Sequence, residues 1–319
     1  MTQKIDIRWS PAPSPLWLET WRHLPTPTVL QDPCYARAMA IMNRQQARFG
    51  LITRDGQPLG TVTILEARAL GGLLHAVILD RGPCWLTGAG GIQDWKDFCA
   101  AWDQYAPLRP LRKRRTMLEM PDSPSALALL TATKWPKITQ MPAYQTLMLS
   151  LAGDVESWRA RLRPDFRQRL NKADCAGLTL SWDTVGTTLP WLLQAYQADK
   201  AEKGYQGPRV ETILGLCAAF GPAGQLRIAR VLKDGVPVAA GLFFLHGRGA
   251  TYQIGVVLKD GRAACANHFL MWHALAYLRD AEIDNLDLGG VNDEDTMAGV
   301  TAFKQALGSR FLRLVPVYG

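Results

Sequence analysis

Several features that mark large protein classes are missing from this sequence of 319 residues. The six cysteines include no Cys-x-x-Cys pair, so neither a zinc site nor a short disulfide framework is indicated, and we expect reduced, mostly buried thiols. The longest apolar stretch, 236–245, is about half of the ~20 residues that a membrane span needs. The first residues form no basic-then-apolar leader. These absences predict a cytoplasmic protein.

Histidine is also scarce, and the spacing of the five histidines does not favour a metal site. His268 and His273 lie on one predicted helix but point about 140° apart around its axis, which is a poor arrangement for shared ligation. The sequence therefore predicts neither a metal nor a redox cofactor. Apolar residues make up 48% of the chain and charged residues 20%, which is typical of globular enzymes and allows two domains of average size.

The formal charge of +8 is concentrated in two segments. Residues 107–137 and residues 159–172 each carry five more basic than acidic side chains, so the rest of the chain has a slight negative surplus. Clustered basic residues suit a polyphosphate or nucleic-acid partner, although a solvated surface that keeps the protein soluble has the same composition. As contacts to RNA we consider Arg112, Lys113, Arg114, Arg115, Arg163 and Arg167.

The second basic segment reads as an amphipathic helix. Its apolar side chains recur every four residues from Trp158 to Leu170, beside a row of arginines. Pro164 lies inside this pattern and is expected to divide the segment into two helices, because proline lacks the backbone donor and clashes with the preceding turn.

Two Asp-Gly pairs, at 55–56 and 234–235, each separate two apolar runs and predict β-hairpins. The strands, helices and turns around them follow a similar order in the two halves of the chain, which suggests a duplication. We expect the boundary between residues 137 and 151 and divide the chain into domains 1–145 and 146–319.

The last forty residues contain the most informative motif. Asp287-Leu288-Gly289-Gly290 ends a predicted strand, and after a short acidic loop a helix carries Phe303-Lys304, followed by Gly308 and a final strand over 311–318. This order places one cation beside a strand end whose backbone is accessible. Such a cation stabilises negative charge that develops on an oxygen during a reaction.

Four further segments carry motifs, in the order 31–37, 79–83, 167–177 and 267–272. Together with the carboxyl-terminal motif, they resemble the Fem-type aminoacyl transferases, which build amino-acid branches on peptidoglycan precursors. Leu307 stands where that family has a second phenylalanine. The resemblance implies an α/β (α+β) fold of two tandem GNAT-like domains, each a mixed, mainly antiparallel sheet flanked by helices.

The resemblance also implies roles for individual residues. Lys304 matches the family lysine that assists the donor carbonyl. Arg209 matches an arginine that binds the phosphates of the acceptor, and Tyr252 matches a tyrosine that hydrogen-bonds the acceptor peptide. The structural alternatives are a surface lysine, a loop cation and a core tyrosine. Asp287 is a candidate proton acceptor, or only a turn former, and Glu119 is a candidate for holding the attacking amine.

Two departures from the family pattern leave the substrate open. Met39 stands where members that act on the nucleotide-linked muropeptide carry a lysine, and Arg37 or Arg44 is the candidate replacement for it. The loop 260–267 lacks the glycines with which ordinary acetyltransferases bind the pyrophosphate of coenzyme A.

The sequence thus favours a transferase that moves an aminoacyl group from aminoacyl-tRNA to the amino group of a peptide, most simply a peptidoglycan precursor. A lipid-linked acceptor would bring it to the membrane surface, and no stable protein partner is inferred. The alternatives are an N-acyltransferase that uses acyl-coenzyme A or an acyl-carrier protein on a small amine, and a binding module without catalytic activity.

Overall fold

A computed structural model describes residues 4–291 and 298–319 of the chain. It divides into two compact units: unit 1 comprises Met1–Tyr144 and Arg313–Gly319, and unit 2 comprises Gln145–Leu312. The sequence-based division placed residues 313–319 in the second domain, whereas the structure assigns them to unit 1. The predicted acidic loop falls within 292–297, which lies outside the described residues.

Unit 1 opens with a strand and two helices and continues as strands with two further helices. Its elements are β1 (Asp6–Ser10), α1 (Pro15–Arg22), α2 (Pro33–Asn43), β2 (Gln46–Arg54), β3 (Gln57–Ala69), β4 (Leu74–Gly82), β5 (Cys84–Trp85), α3 (Ile92–Tyr105), β6 (Arg112–Leu118) and α4 (Pro124–Thr133). The sheet runs in the order β1-β2-β3-β4-β6, with β5 paired to β3. The neighbours are antiparallel except β4 and β6, which are parallel and are connected through α3.

Unit 2 repeats this plan with more helices. Its elements are β7 (Gln145–Ser150), α5 (Val155–Arg161), α6 (Pro164–Asp174), β8 (Leu178–Asp183), α7 (Leu189–Lys203), α8 (Val210–Phe220), β9 (Leu226–Lys233), β10 (Val236–His246), β11 (Gly249–Val257), α9 (Lys259–Ala263), α10 (Ala266–Asp280), β12 (Asn285–Gly290), α11 (Ala298–Ala306) and β13 (Arg310–Arg313). The sheet order is β13-β7-β12-β11-β10-β9-β8. Strands β11 and β12 are parallel and are connected through α9 and α10.

Both predicted hairpins are confirmed. The pairs Asp55-Gly56 and Asp234-Gly235 connect β2 to β3 and β9 to β10, and all four residues have positive φ between 52° and 78°. Two consecutive residues with positive φ form the turn whose twist matches that of the flanking strands, and Asp-Gly adopts it readily.

The predicted break at Pro164 is also confirmed. Helix α5 ends at Arg161, and α6 begins at Pro164, where the missing backbone donor is harmless at the first helical position. Leu162 and Arg163 between them are extended, with ψ of 138° and 152°. The apolar stripe then packs as predicted, because Trp158, Leu162 and Phe166 are all buried in the core of unit 2.

The predicted final strand over 311–318 was wrong in extent. Strand β13 ends at Arg313, and the segment after it joins unit 1 through isolated bridges, which include Leu314 to Pro121 and Tyr318 to Thr116. Pro316 interrupts this segment and cannot donate to a ladder. Each unit has its own buried core, and the prediction of mostly buried cysteines is confirmed for Cys34, Cys84, Cys99 and Cys217.

Candidate active site in unit 2

The parallel strands of unit 2 separate beside Asp287. Their pairing runs from Gly249–Asn285 to Thr251–Asp287 and ends there, although β11 continues to Val257 and β12 to Gly290. Strand β12 also shifts its register against β7 between Asp287 and Gly290. Beyond Asp287 the two strands no longer pair, and we call the space between them the cleft; the predicted motif lies at its edge.

Gly289 makes the turn at this strand end possible. Its φ is +81°, a conformation that residues with a side chain rarely adopt. A Cβ placed on it would lie 3.4 Å from the carbonyl oxygen of Tyr252 and 3.7 Å from Nζ of Lys304. Gly289 therefore lies between β11 and the lysine, and the missing side chain keeps the cleft open there.

Lys304 projects from α11 into this cleft. Its Nζ donates to the carbonyl oxygen of Gly290 at 3.2 Å and to that of Gly289 at 3.4 Å. Only 8% of the residue is exposed, so the alternative of a surface lysine is wrong. Burial lowers the pKa of Lys304 to about 8, and the charge of Asp287 opposes this shift. The ammonium is thus held in a largely buried site by two carbonyls and a nearby carboxylate.

Asp287 is buried and hydrogen-bonded from two sides. Its Oδ1 accepts from the hydroxyl of Thr146 at 2.5 Å and from the backbone N–H of Gly289 at 2.8 Å. The carboxylate therefore fixes the turn at Gly289 and supplies negative charge near Lys304. Sequence reasoning missed Thr146, whose hydroxyl also reaches the carbonyl oxygen of Gly289 at 3.0 Å. Its signal was a hydroxyl residue at a buried position of an apolar strand.

Helix α11 is fixed at its end and along its packed side. The break at Pro164 frees the backbone N–H of Arg163, which donates to the carbonyl oxygen of Ala306 at 2.9 Å. Phe303, which precedes the lysine, packs on Phe166 and His268 with ring centroids 5.6 and 5.0 Å apart. Burial, reinforced by the charge of Arg169, lowers the pKa of His268 to about 4, so that its ring is neutral at pH 7 and packs among aromatic groups.

Tyr252 lies across a pair of glycines on neighbouring strands. Gly241 of β10 and Gly255 of β11 face each other in the ladder. A Cβ on Gly255 would lie 1.6 Å from the hydroxyl oxygen of Tyr252, and one on Gly241 would lie 2.8 Å from its ring. The two glycines thus create the space in which the tyrosine ring rests. Tyr252 is half-buried, and burial raises the pKa of its hydroxyl.

The loop before Arg209 is anchored close to these groups. The hydroxyl of Tyr196 donates to the carbonyl oxygen of Pro208 at 3.0 Å, and Nζ of Lys200 donates to that of Gly207 at 2.9 Å. Tyr205 in this loop has a raised pKa, caused first by burial and then by Asp199, with a further contribution from Tyr252. Arg209 itself is exposed at the start of α8.

The candidates in unit 1 have different surroundings. Glu119 accepts two hydrogen bonds from Arg81, at 2.8 and 2.9 Å, and the Arg81 guanidinium also lies 4.6 Å from the ring centroid of Tyr144. Arg81 is 1% exposed, so this is a buried ion pair in which both carboxylate oxygens of Glu119 are engaged. Arg37 is exposed on α2. Sequence reasoning did not predict that Arg81 and Glu119 pair.

The six basic residues predicted to contact RNA differ in exposure and in their partners. Lys113 and Arg163 are exposed, whereas Arg112 and Arg167 are half-buried and donate to backbone carbonyls of Pro107 and Leu162. Arg115 pairs with Asp80. Arg114, which was predicted as an RNA contact, is instead 5% exposed, pairs with Asp103 at 2.7 Å and stacks on Trp135. The reason is strand alternation, which turns every second residue of β6 inward.

Comparison with known proteins identifies the fold. Residues 160–305 match the family described as Acetyltransferase (GNAT) domain. The structure of FemX is 13% identical and aligns over 94% of each chain with a TM-score of 0.77. The C-terminal domain of a putative lysylphosphatidylglycerol synthetase from Agrobacterium fabrum is 14% identical, with a TM-score of 0.53 over 90% of this chain and 87% of that one.

A tandem GNAT protein from the clavulanic acid biosynthesis pathway is likewise 14% identical and aligns over 98% of each chain, with a TM-score of 0.50. No curated protein sequence matches this chain. The predicted mixed α/β fold of two tandem GNAT-like units, of the Fem type, is therefore confirmed.

Proposed function

We propose that this protein transfers an aminoacyl group from aminoacyl-tRNA to the amino group of a peptide, with the stem peptide of a peptidoglycan precursor as acceptor, in the cytoplasm. The observation that carries the proposal is the buried ammonium of Lys304 at the point where β11 and β12 separate. The similarity in fold to FemX and the motifs described above support this choice among acyl transfers.

Lys304 is suited to stabilise an oxyanion. With a pKa of about 8 it is mostly protonated at pH 7, and the low exposure of the site strengthens its interaction with any charge that develops nearby. The carbonyls of Gly289 and Gly290 hold the ammonium in place. A carbonyl oxygen of the donor that enters the cleft would find the cation already oriented, so little reorganisation is needed as the charge grows.

The transfer is an aminolysis of an activated ester. The neutral amine of the acceptor attacks the ester carbonyl carbon, and the electron pair of the C=O bond moves to the oxygen, which Lys304 stabilises. Collapse re-forms the carbonyl, breaks the ester C–O bond and releases the terminal ribose hydroxyl of the tRNA. The nitrogen loses one proton and the leaving oxygen gains one, so an amide and an uncharged tRNA end result. Positioning of the two substrates supplies much of the rate.

Asp287 acts in this scheme through its negative charge. It raises the pKa of Lys304 against the effect of burial and so keeps the ammonium protonated near neutral pH. Its hydrogen bonds to Thr146 and Gly289 hold it in place. As a second role, we propose that Asp287 accepts the proton of the attacking amine.

For the acceptor we propose Tyr252 and the exposed Arg209 in unit 2 and, as a separate candidate in unit 1, the exposed Arg37. Glu119 is less suited to hold the amine, because Arg81 occupies its carboxylate. For the tRNA we propose Lys113 with its neighbours Arg112 and Arg115 in unit 1, and Arg163 with Arg167 in unit 2. We leave out the buried Arg114.

Transfer of a labelled amino acid tests the proposal. The protein is incubated with labelled aminoacyl-tRNA and either a muropeptide precursor or the same precursor with an acetylated amine, and the products are weighed by mass spectrometry. A mass increase of one amino-acid residue on the free amine only is the expected result. Unchanged acceptor with a range of aminoacyl-tRNAs, under conditions in which the tRNA stays charged, contradicts it.

An N-acyltransferase that uses a thioester, on coenzyme A or on an acyl-carrier protein, is the second candidate. The match of residues 160–305 to the GNAT domain family favours it, whereas the loop 260–267 before α10, which lacks the glycines that bind coenzyme A, speaks against it. Under this alternative acyl-coenzyme A raises the melting temperature and charged tRNA does not. The opposite pattern is expected under the main proposal.

A further inference from the structure

Unit 1 exposes five leucines at one end of its sheet, four on two loops and one at the start of β4. The first loop connects β3 to β4, and the second connects α3 to β6. The exposed fractions are 73% for Leu70, 61% for Leu73, 40% for Leu74, 49% for Leu108 and 56% for Leu111. We call these five residues the leucine tip. Single exposed leucines are common, whereas several together mark an interaction surface.

Hydrogen bonds hold the two loops side by side. The backbone N–H of His75, next to Leu74, donates to the carbonyl oxygen of Leu111 at 3.1 Å. The guanidinium of Arg112 donates to His75 Nδ1 at 3.2 Å and to the carbonyl oxygen of Pro107 at 3.0 Å. The leucines of both loops therefore belong to one surface.

Two of these leucines occupy unfavourable backbone conformations. Leu70 has φ of +49° and Leu111 has φ of +65°, in the left-handed region that glycine and asparagine adopt more easily. Folding alone would favour Asn or Gly at both positions. The large apolar side chains that are present instead, exposed to water, indicate a role outside the folded core.

Basic side chains border the leucine tip. Arg68, His75 and Arg112 face each other across three neighbouring strands, and Arg109 lies between Leu108 and Leu111. Arg68 and Arg109 are exposed, and so is Lys113. The pKa of Arg112 is lowered, first by burial and then by the charges of Arg109 and Arg68, which shows that these cations share one region. Glu66 on the same sheet is 1% exposed and accepts hydrogen bonds from Tyr105 and, at 3.3 Å, from Arg68.

We propose that the leucine tip docks on an anionic lipid bilayer. Apolar side chains that protrude from loops insert at the boundary between headgroups and acyl chains, and neighbouring cations bind the anionic headgroups. The charge of the surface complements such a bilayer. An RNA partner would use the cations but would leave the leucines in water, so the apolar part of the surface favours lipid.

This docking would hold unit 1 on a membrane without any spanning segment. Within residues 4–291 and 298–319, no helix is long and apolar enough to cross a bilayer. The inference does not depend on the transfer reaction proposed above, because all of its residues lie in unit 1 and none of them belongs to the cleft around Lys304.

Sedimentation of the full chain with vesicles tests the proposal. The vesicles are phosphatidylcholine alone or an equimolar mixture with phosphatidylglycerol. We expect binding to the mixed vesicles, and a loss of at least about tenfold in the double variant Leu70→Asn, Leu111→Asn, because each leucine loses its apolar contact with lipid. Both substitutions suit left-handed backbone, so thermal unfolding should show a melting temperature equal to or above that of the wild type.

The matched control is Val185→Asn with Val236→Asn, which removes two exposed apolar side chains of unit 2, 75% and 62% exposed in the wild type, and should leave vesicle binding unchanged. In a second variant, Arg68→Gln with Arg109→Gln, we expect weaker binding to the mixed vesicles, by roughly tenfold, and little effect on phosphatidylcholine alone.

Three outcomes would overturn the proposal. The first is that the wild type fails to bind the mixed vesicles. The second is equal binding by the wild type and the leucine variant. In the third, no vesicle binding is found and the leucine variant loses a different interaction. Loss of a dimer in light scattering would assign the surface to a protein, and weaker tRNA binding in gel shifts would assign it to RNA.

Discussion

The ammonium of Lys304 donates a hydrogen bond of 3.2 Å to the carbonyl oxygen of Gly290, at the end of the strand that precedes its helix. The two carbonyls and the nearby carboxylate stabilise the charged form of this buried lysine. Because little water surrounds the ammonium, it interacts strongly with a negative charge that develops beside it. Such a site lowers the free energy of unfolding while it supports catalysis, and both effects can be measured.

Replacing Lys304 with Met should remove activity and stabilise the fold. Loss of a positioned oxyanion donor typically lowers kcat by about 100-fold to 1,000-fold. Because burial lowers the pKa of Lys304 from 10.5 to about 8, the buried charge destabilises the native state at pH 7 by up to about 3 kcal/mol, and methionine relieves much of this cost. Urea unfolding compares Lys304→Met with Lys96→Met, the exposed control, which should change stability little. A destabilised Lys304→Met protein would contradict the argument.

The buried charge of Lys304 should also affect how stability and activity depend on pH. The unfolded chain binds a proton at residue 304 up to its ordinary pKa of 10.5, whereas the folded chain loses it near 8, so this residue makes stability rise with pH between these values. The sign is the opposite for activity, since the rate should fall as the ammonium deprotonates above about 8. Rate profiles and unfolding at several pH values measure both effects.

Asp287→Asn should shift the alkaline limb of the rate profile to lower pH. The carboxylate is the charge that raises the pKa of Lys304, and asparagine removes this charge while keeping a similar shape. An unchanged alkaline limb would show that the limb does not report on Lys304. A loss of rate at all pH values with the limb unmoved would instead favour Asp287 as the proton acceptor.

Gly255→Ala should act on the acceptor through Tyr252. The new Cβ cannot coexist with the present hydroxyl position, 1.6 Å away, so the ring must move. If Tyr252 hydrogen-bonds the acceptor, KM for the acceptor should rise about tenfold in Gly255→Ala and in Tyr252→Phe alike, with kcat less affected. An effect on KM in Tyr252→Phe alone would show that the ring position is unimportant. No effect in either variant would mark Tyr252 as a core residue.

Glu119→Gln should destabilise unit 1 rather than weaken substrate binding. The substitution removes the negative charge that faces the buried Arg81, which typically costs about 3 kcal/mol, and the double variant Arg81→Met, Glu119→Gln should recover part of this loss. Urea unfolding and acceptor KM separate the two roles. A raised KM with unchanged stability would restore Glu119 as the residue that holds the amine.

The parts of the fold that follow from local patterns were predictable. The Asp55-Gly56 and Asp234-Gly235 turns, the break at Pro164 and the strand end at Asp287 each depend on a few neighbouring residues with strong backbone preferences. Lys304 was identified through motif and position, but its burial was not, because that depends on the packing of Phe303 against elements distant in sequence.

Other features could not be predicted because they arise from long-range pairing. Arg81 and Glu119 lie far apart in the sequence, so no local pattern indicates their ion pair. Residues 313–319 belong to unit 1 because they form bridges to Thr116 and Pro121. The basic charge of segment 112–115 can be read from the sequence. The burial of Arg114 cannot, because it depends on the position of Arg114 in strand β6. The leucine tip appears only when two loops are brought together.

The most direct test of the central claim is single-turnover transfer from labelled aminoacyl-tRNA to a peptide amine, measured for the wild type and Lys304→Met, with tRNA binding measured in parallel. The account predicts that the wild type forms the amide and that the variant forms it at least about 100-fold more slowly while binding the tRNA equally well. Equal rates in the two proteins, or amide formation from acyl-coenzyme A in place of aminoacyl-tRNA, would contradict it.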